Sequence, residues 1–241
     1  MISLMFLILM SADEAVTLTG TFDRMECHQN TLYLAPAIGT SIYRYQGSSN
    51  LNSFTFTDDV NYRIRSFKIT PFAFYINRGT AIEKFYRVSG KKEIVFAAAD
   101  ITSFALTDAE EVIVADRQTR ELIFLDRDHR IRFKIENVSA DDIQWYDSLL
   151  YVLARNGIYV YDEHGTQVER RPIPQRCDRI IISDRHLFIF AANADHLFEA
   201  DSMWVKKELP YAVADICVKD ESIVTLDGTG TTLYFLDRND F

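Results

Sequence analysis

The sequence predicts an all-β chain in which six four-stranded antiparallel sheets are repeated around a ring, and three observations point to it. First, alternating apolar residues, a turn and a second apolar run recur along the 241 residues, starting at Met25, Phe67, Phe104, Ile143, Ile180 and Ile216, so that successive copies lie 36 to 42 residues apart. Second, a polar turn leading into another alternating strand keeps the same period, with first apolar residues Ile42, Ile82, Leu122, Ile158, Leu197 and Leu233. Third, residues 15–22 (AVTLTGTF) form a surplus strand before the first copy, while the last copy stops at Phe241 one strand short.

Within each copy the first marker supplies two strands, as in MECHQNTLYL or IQWYDSLLYV, separated by turn residues. The third strands read SIYRYQ, AIEKFY, ELIFLD, GIYVYD, HLFEAD and TLYFLD, and outer strands follow as LNSFTF, KEIVFA, IRFKIE, QVERRPI and MWVKKEL. Residues 15–22, rich in β-branched side chains, are expected to complete the sixth sheet and close the ring. A closed radial array leaves only short, protected sheet edges, so the expected architecture is a six-bladed β-propeller filling one domain, residues 13–241. Long helical periodicity is absent, and the only turns of helix expected are short connectors such as residues 108–111.

Composition narrows the function. With 26 Lys plus Arg against 35 Asp plus Glu, the formal charge is −9, which repels phosphate backbones and anionic membranes, so nucleic acid is not an expected partner. Residues 1–10 are almost wholly apolar and are followed by small and polar residues, which predicts a signal peptide over residues 1–12 and a periplasmic or secreted protein; without cleavage the chain is expected in the cytoplasm. That apolar stretch is too short to span a bilayer. Cys27, Cys177 and Cys217 show no metal-binding spacing, and they read as buried small residues with one bridge left open.

The copy at residues 112–135, VIVADRQTRELIFLDRDHRIRFKI, and the copy at residues 150–173, LYVLARNGIYVYDEHGTQVERRPI, resemble the repeats of NHL-type and TolB-like six-bladed propellers, in which a strand ends in Ala-Asp and a later one in an acidic turn. The resemblance holds at the level of blades over residues 15–241. It implies that the first strand of each blade lines a central channel and that the loops entering these strands form a ligand face. Those positions are Arg24, Ser66, Ser103, Asp142, Arg179 and Asp215, and loops after the second strands add Arg78, Asp116, Arg155 and Asp227. Arg24, Arg78, Asp116, Asp142, Arg155, Arg179, Asp215 and Asp227 are therefore the ligand-face candidates. They can orient a small polar ligand, or simply cap strand ends.

No catalytic spacing is visible: there is no G-x-S-x-G elbow, the five histidines share no motif, and DGTGTT at residues 227–232 lacks the Lys and helix of a phosphate loop. The expectation is a non-enzymatic scaffold, without cofactor or metal, that binds a protein or envelope component, with Trp204 either an anchor for the partner or a cover of the outer blade surface. The alternative is a metal-dependent hydrolase or lactonase using Asp116, Asp142, Asp215 and Asp227 at the channel mouth.

Overall fold

The computed structural model describes residues 14–47, 51–183, 186–200, 203–219 and 222–237, and every regular element among them is a β-strand. The apolar start, residues 1–12, lies outside the described residues. After β1 (Glu14–Thr17) the first sheet comprises β2 (Arg24–His28), β3 (Thr31–Ala35), β4 (Ser41–Tyr45) and β5 (Leu51–Thr55). The second holds β6 (Ser66–Ile69), β7 (Ala73–Asn77), β8 (Ala81–Tyr86) and β9 (Lys92–Ala97), and the third β10 (Ile101–Leu106), β11 (Val112–Asp116), β12 (Glu121–Leu125) and β13 (Ile131–Glu136). The fourth consists of β14 (Asp142–Tyr146), β15 (Leu149–Ala154), β16 (Gly157–Tyr161) and β17 (Gln167–Arg171). The remaining strands, β18 (Arg179–Ser183), β19 (His186–Phe190), β20 (Ala194–Ala200), β21 (Trp204–Lys219), β22 (Ser222–Asp227) and β23 (Thr232–Asp237), join β1 in one seven-stranded sheet.

The chain is thus a propeller-like ring of antiparallel sheets without helices, but it has five hydrogen-bonded sheets where six separate ones were expected. The difference lies in β21. Its start pairs with β20, from Ala200↔Trp204 to His196↔Glu208, and its end pairs with β22, from Val213↔Asp227 to Lys219↔Ser222. The backbone stays extended between these two sections, through Pro210, so two hairpin systems merge into one sheet. Residues 108–111 form a plain turn with Glu110 left-handed at φ 59°, not a turn of helix.

Local chemistry explains the strand boundaries. The β2–β3 and β14–β15 hairpins have two-residue loops, Gln29–Asn30 and Asp147–Ser148, with all four residues at φ between 46° and 62°. Both loop residues left-handed is the geometry whose twist matches antiparallel strands, and Asn and Asp tolerate it best. The acidic turns between third and fourth strands are Asx turns: Asp126 accepts the Asp128 and Arg130 amides, and Asp162 accepts those of His164 and Thr166. The amide donors hold the Asp162 carboxyl below its usual range.

Burial follows radial position. The second strands β7 and β11 are buried at every residue, because a sheet lies against each face, which is why they read as unbroken apolar runs. The outer strand β17 is almost wholly exposed. Between successive sheets lie aromatic and aliphatic clusters: Tyr33, Ile42 and Phe67 join the first to the second, and Val112, Phe104 and Tyr75 join the second to the third. Phe188, Phe190 and Leu197 face Val213, Ile223 and Leu236, so the seven-stranded sheet packs one half against the other across β21.

Closure uses both chain ends. β1 pairs with β23 from Glu14↔Phe235 to Thr17↔Thr232, as the surplus strand required, although pairing stops earlier than residue 22. The Leu18 amide still donates to the Thr231 carbonyl at 2.7 Å, and Phe22 then turns into a core shared with Leu34, Leu226 and Leu233. Its amide donates to the Gly230 carbonyl at 2.8 Å. Gly230 has φ 72°, and a Cβ there would sit 2.1 Å from the Phe22 carbonyl oxygen, so only glycine fits. A disulfide joins Cys27 in β2 to Cys217 in β21, with a Cα separation of 5.8 Å, and settles the pairing that the sequence left open. Cys177 is free and buried, and burial pushes its thiol up to about 12.

Candidate functional site in the central channel

The first strand of each sheet faces the axis. β2, β6, β10, β14, β18 and the end of β21 contact one another in turn, and β21 returns to β2. They enclose a cavity of about 150 Å³ lined by Arg24, Ser66, Asp142 and Arg179, which open their strands, and by Ser103 and Asp215, which lie within β10 and β21.

Their side chains are bound to the neighbouring sheet. Arg179 donates through Nη2 to both carboxylate oxygens of Asp215, at 2.8 and 2.9 Å, and its Nε lies 4.0 Å from Asp142. Burial opposes the Arg179 charge, but Asp215 and Asp142 outweigh it and hold the guanidinium above its ordinary value. Asp215 also accepts the Met25 amide at 2.9 Å, tying β21 to β2. Asp142 accepts the Ile180 amide at 3.1 Å and the Ser103 hydroxyl at 2.6 Å, tying β14 to both neighbours. Arg24 donates through Nε to the Arg65 carbonyl at 2.5 Å, and Arg65 donates in turn to Asp100 at 2.7 Å and to the Ile101 carbonyl at 2.6 Å. Thr102 donates to the Ala140 carbonyl at 3.0 Å. A continuous circle of polar contacts thus runs from sheet to sheet. Arg24, with burial and the nearby Arg179 against it, is held below its ordinary value.

Deeper in the channel, Lys68 pairs with Glu26 at 3.0 Å, and burial raises the Glu26 carboxyl despite this partner. Beyond the pair a second cavity of about 320 Å³ opens toward the opposite face, lined in part by His28, Thr70, Glu110 and Trp145. His28 Nε2 and Trp145 Nε1 are buried without a hydrogen-bond partner, and burial followed by the Arg87 charge lowers the His28 pKa. The sequence reading missed Glu26, Lys68 and Gln144. Each lies two residues after a strand-opening residue, and the two-residue period of a β-strand puts i and i+2 on one face.

The other four candidates do not join the channel. Arg78 lies over the Tyr62 ring at 4.3 Å and pairs with Glu83 at 3.4 Å. Asp116 is buried and accepts the Gln118 amide within its own turn. Asp227 accepts the Thr231 and Thr232 amides, capping the DGTGTT turn. Arg155 is exposed in a groove between the third and fourth sheets. These residues end or follow the second strands, one layer away from the axis, and the two aspartates are satisfied within their own turns. Among the described residues, no three His, Cys, Asp or Glu side chains are grouped to hold a metal ion. Trp204 donates to the Pro172 carbonyl at 2.7 Å and packs in one cluster with Ile173.

No protein-family model and no curated protein sequence matches the chain. Solved structures do match in fold. A catalytically inactive virginiamycin B lyase from Staphylococcus aureus, crystallised with quinupristin, aligns with a TM-score of 0.66 at 13% identity, over 90% of this chain and 81% of that one. A chain of the mitotic checkpoint complex aligns with a TM-score of 0.66 at 11% identity, over 95% and 92%. A chain from the complex of BBS1N with ARL6DN gives 0.61 at 13% identity, over 86% and 73%. At these identities the likeness is one of fold: the chain has a β-propeller architecture whose neighbours serve as a lyase and as members of protein complexes.

Proposed function

We propose that the chain is a non-enzymatic binding scaffold, a six-bladed propeller of the NHL-like kind spanning residues 13–241, which presents a rigid surface to a protein or envelope component. The observation that carries this reading is the engagement of Asp142, Arg179 and Asp215 by neighbouring sheets, which makes them fasteners of the ring. A general base needs a lone pair directed at substrate and a metal ligand one directed at the ion, and these carboxylates spend theirs on amides, a hydroxyl and a guanidinium. The hydrolase alternative also needs Asp116 and Asp227 beside them, and both lie in separate turns. The blade count rests on β21: its two paired sections flank Pro210, and the packed halves on either side supply four strands each once β1 is included. The Cys27–Cys217 bridge, together with the apolar residues 1–10, supports export to an oxidising compartment.

The test is metal content and thermal melting of the purified protein with chelator, Ca²⁺, Mg²⁺ or Zn²⁺, alongside a screen of lactones and esters. The scaffold reading expects no stoichiometric metal, no stabilisation and no turnover. Turnover that is lost in Asp142→Asn at unchanged folding overturns it.

A further inference from the structure

A groove of about 910 Å³ lies between the third and fourth sheets, next to the channel mouth through Asp141, the residue preceding Asp142. Arg117 and Arg120 enter it from the β11–β12 turn, Arg155 from the β15–β16 turn and Arg176 from the β17–β18 connection, and all four are exposed. The acidic residues in its lining are Glu136 and Asp141, of which Asp141 approaches Arg117 at 3.6 Å. Among the described residues, the guanidinium groups of Arg120, Arg155 and Arg176 have neither an ion pair nor a hydrogen bond. Tyr159 and Tyr161 supply aromatic surface in the same groove.

The chain carries a formal charge of −9, and several of its other cations do pair with acids, as at Arg65–Asp100 and Arg132–Glu111, whereas three of the four groove arginines do not. Guanidinium groups present a planar fork that binds carboxylates through two hydrogen bonds.

We propose that this groove binds an acidic peptide segment of a protein partner. The cations come from three connections across two sheets, and the cavity is at the upper end of what a small ligand fills, so several spaced carboxylates match it better than one compact anion. The net charge of −9 disfavours nucleic acid and anionic membrane, whose charge densities are high and extended, whereas a short acidic segment can be received locally. The inference rests on the scaffold reading and names its partner chemistry, and the turnover screen above decides that reading separately.

The experiment is fluorescence anisotropy with a labelled Glu-rich peptide, its Gln-substituted counterpart, a single-stranded oligonucleotide and phosphatidylserine vesicles, at low and physiological salt. The Glu peptide is expected to bind at least about tenfold more tightly than the Gln peptide, with affinity falling as salt rises. The double variant Arg120→Glu/Arg155→Glu should lose about tenfold or more, while Arg130→Glu, an exposed charge reversal at a different turn, should change little. Arg155→Gln provides a milder variant if the double one fails to fold, and melting curves establish folding for each. Equal binding of the Glu and Gln peptides, equal weakening by the groove and Arg130 variants, or a groove-dependent preference for oligonucleotide or vesicles overturns the proposal.

Discussion

Arg179 in the channel and Arg155 in the groove are the same residue type in opposite settings. Arg179 lies against Asp215 and near Asp142, with its hydrogen bonds directed across a joint between strands. Arg155 projects from a turn with no acidic partner among the described residues. The contrast teaches that one residue type serves two ends in this molecule: in the channel Arg179 is spent on holding strands together, and in the groove Arg155 stands free. Removing a channel charge should therefore act on stability, and removing a groove charge on recognition.

The largest effect is expected from Asp215→Ala, which leaves Arg179 and the Met25 amide without their carboxylate; breaking such a buried pair costs about 3–5 kcal/mol, read as a shift in the urea midpoint. A loss below about 1 kcal/mol would remove the fastener role. Next comes the double variant Cys27→Ala/Cys217→Ala, expected to lose about 2–4 kcal/mol, because the bridge closes a span of 190 residues in the unfolded chain. Reducing agent should lower the wild-type melting temperature and leave this variant's unchanged.

Acidification separates two carboxylates of the ring. Burial raises Glu26, so its native form takes up a proton before the unfolded chain does, and stability from this group rises as pH falls through the native pKa toward 4.5. Glu83 is opposed by burial but held low by hydrogen bonds from Tyr62 and Lys92, so its contribution is intact above 4.5 and is lost as pH falls through its depressed native value. Unfolding measured from pH 7 to pH 3 should show the acid loss flattened in Glu83→Gln and the earlier gain removed in Glu26→Gln. The smallest effect is that of Arg155→Glu on melting, within about 0.5 kcal/mol, since an exposed turn residue without partners has little to lose; a larger drop would place Arg155 among the fasteners.

Much of this arrangement is legible in the sequence because a β-strand repeats every two residues and the sheets repeat every 36 to 42. That periodicity carries the residues opening the inner strands to the axis and the N-terminal strand to β23. Arg78, Asp116, Arg155 and Asp227 escaped it, since a turn side chain can fold back on its own amides, as Asp227 does, and repeat position says nothing of that choice. The Cys27–Cys217 pairing was hidden for a different reason: residues 190 apart become neighbours only when the last inner strand meets the first. The merger at β21 was equally invisible, because a connector that stays extended through Pro210 has no turn signature to mark or deny it.

The bridge has a further consequence for how the molecule survives damage. Because it joins the first inner strand to the last, a protease cut in any connection between residues 27 and 217 opens the backbone without freeing a fragment. The two pieces stay fastened like a bracelet cut opposite its clasp, still carrying most of the sheet-to-sheet cores that hold the circle. Limited proteolysis should accordingly give one band on a non-reducing gel and two only after reduction, with the nicked protein able to close again at the cut.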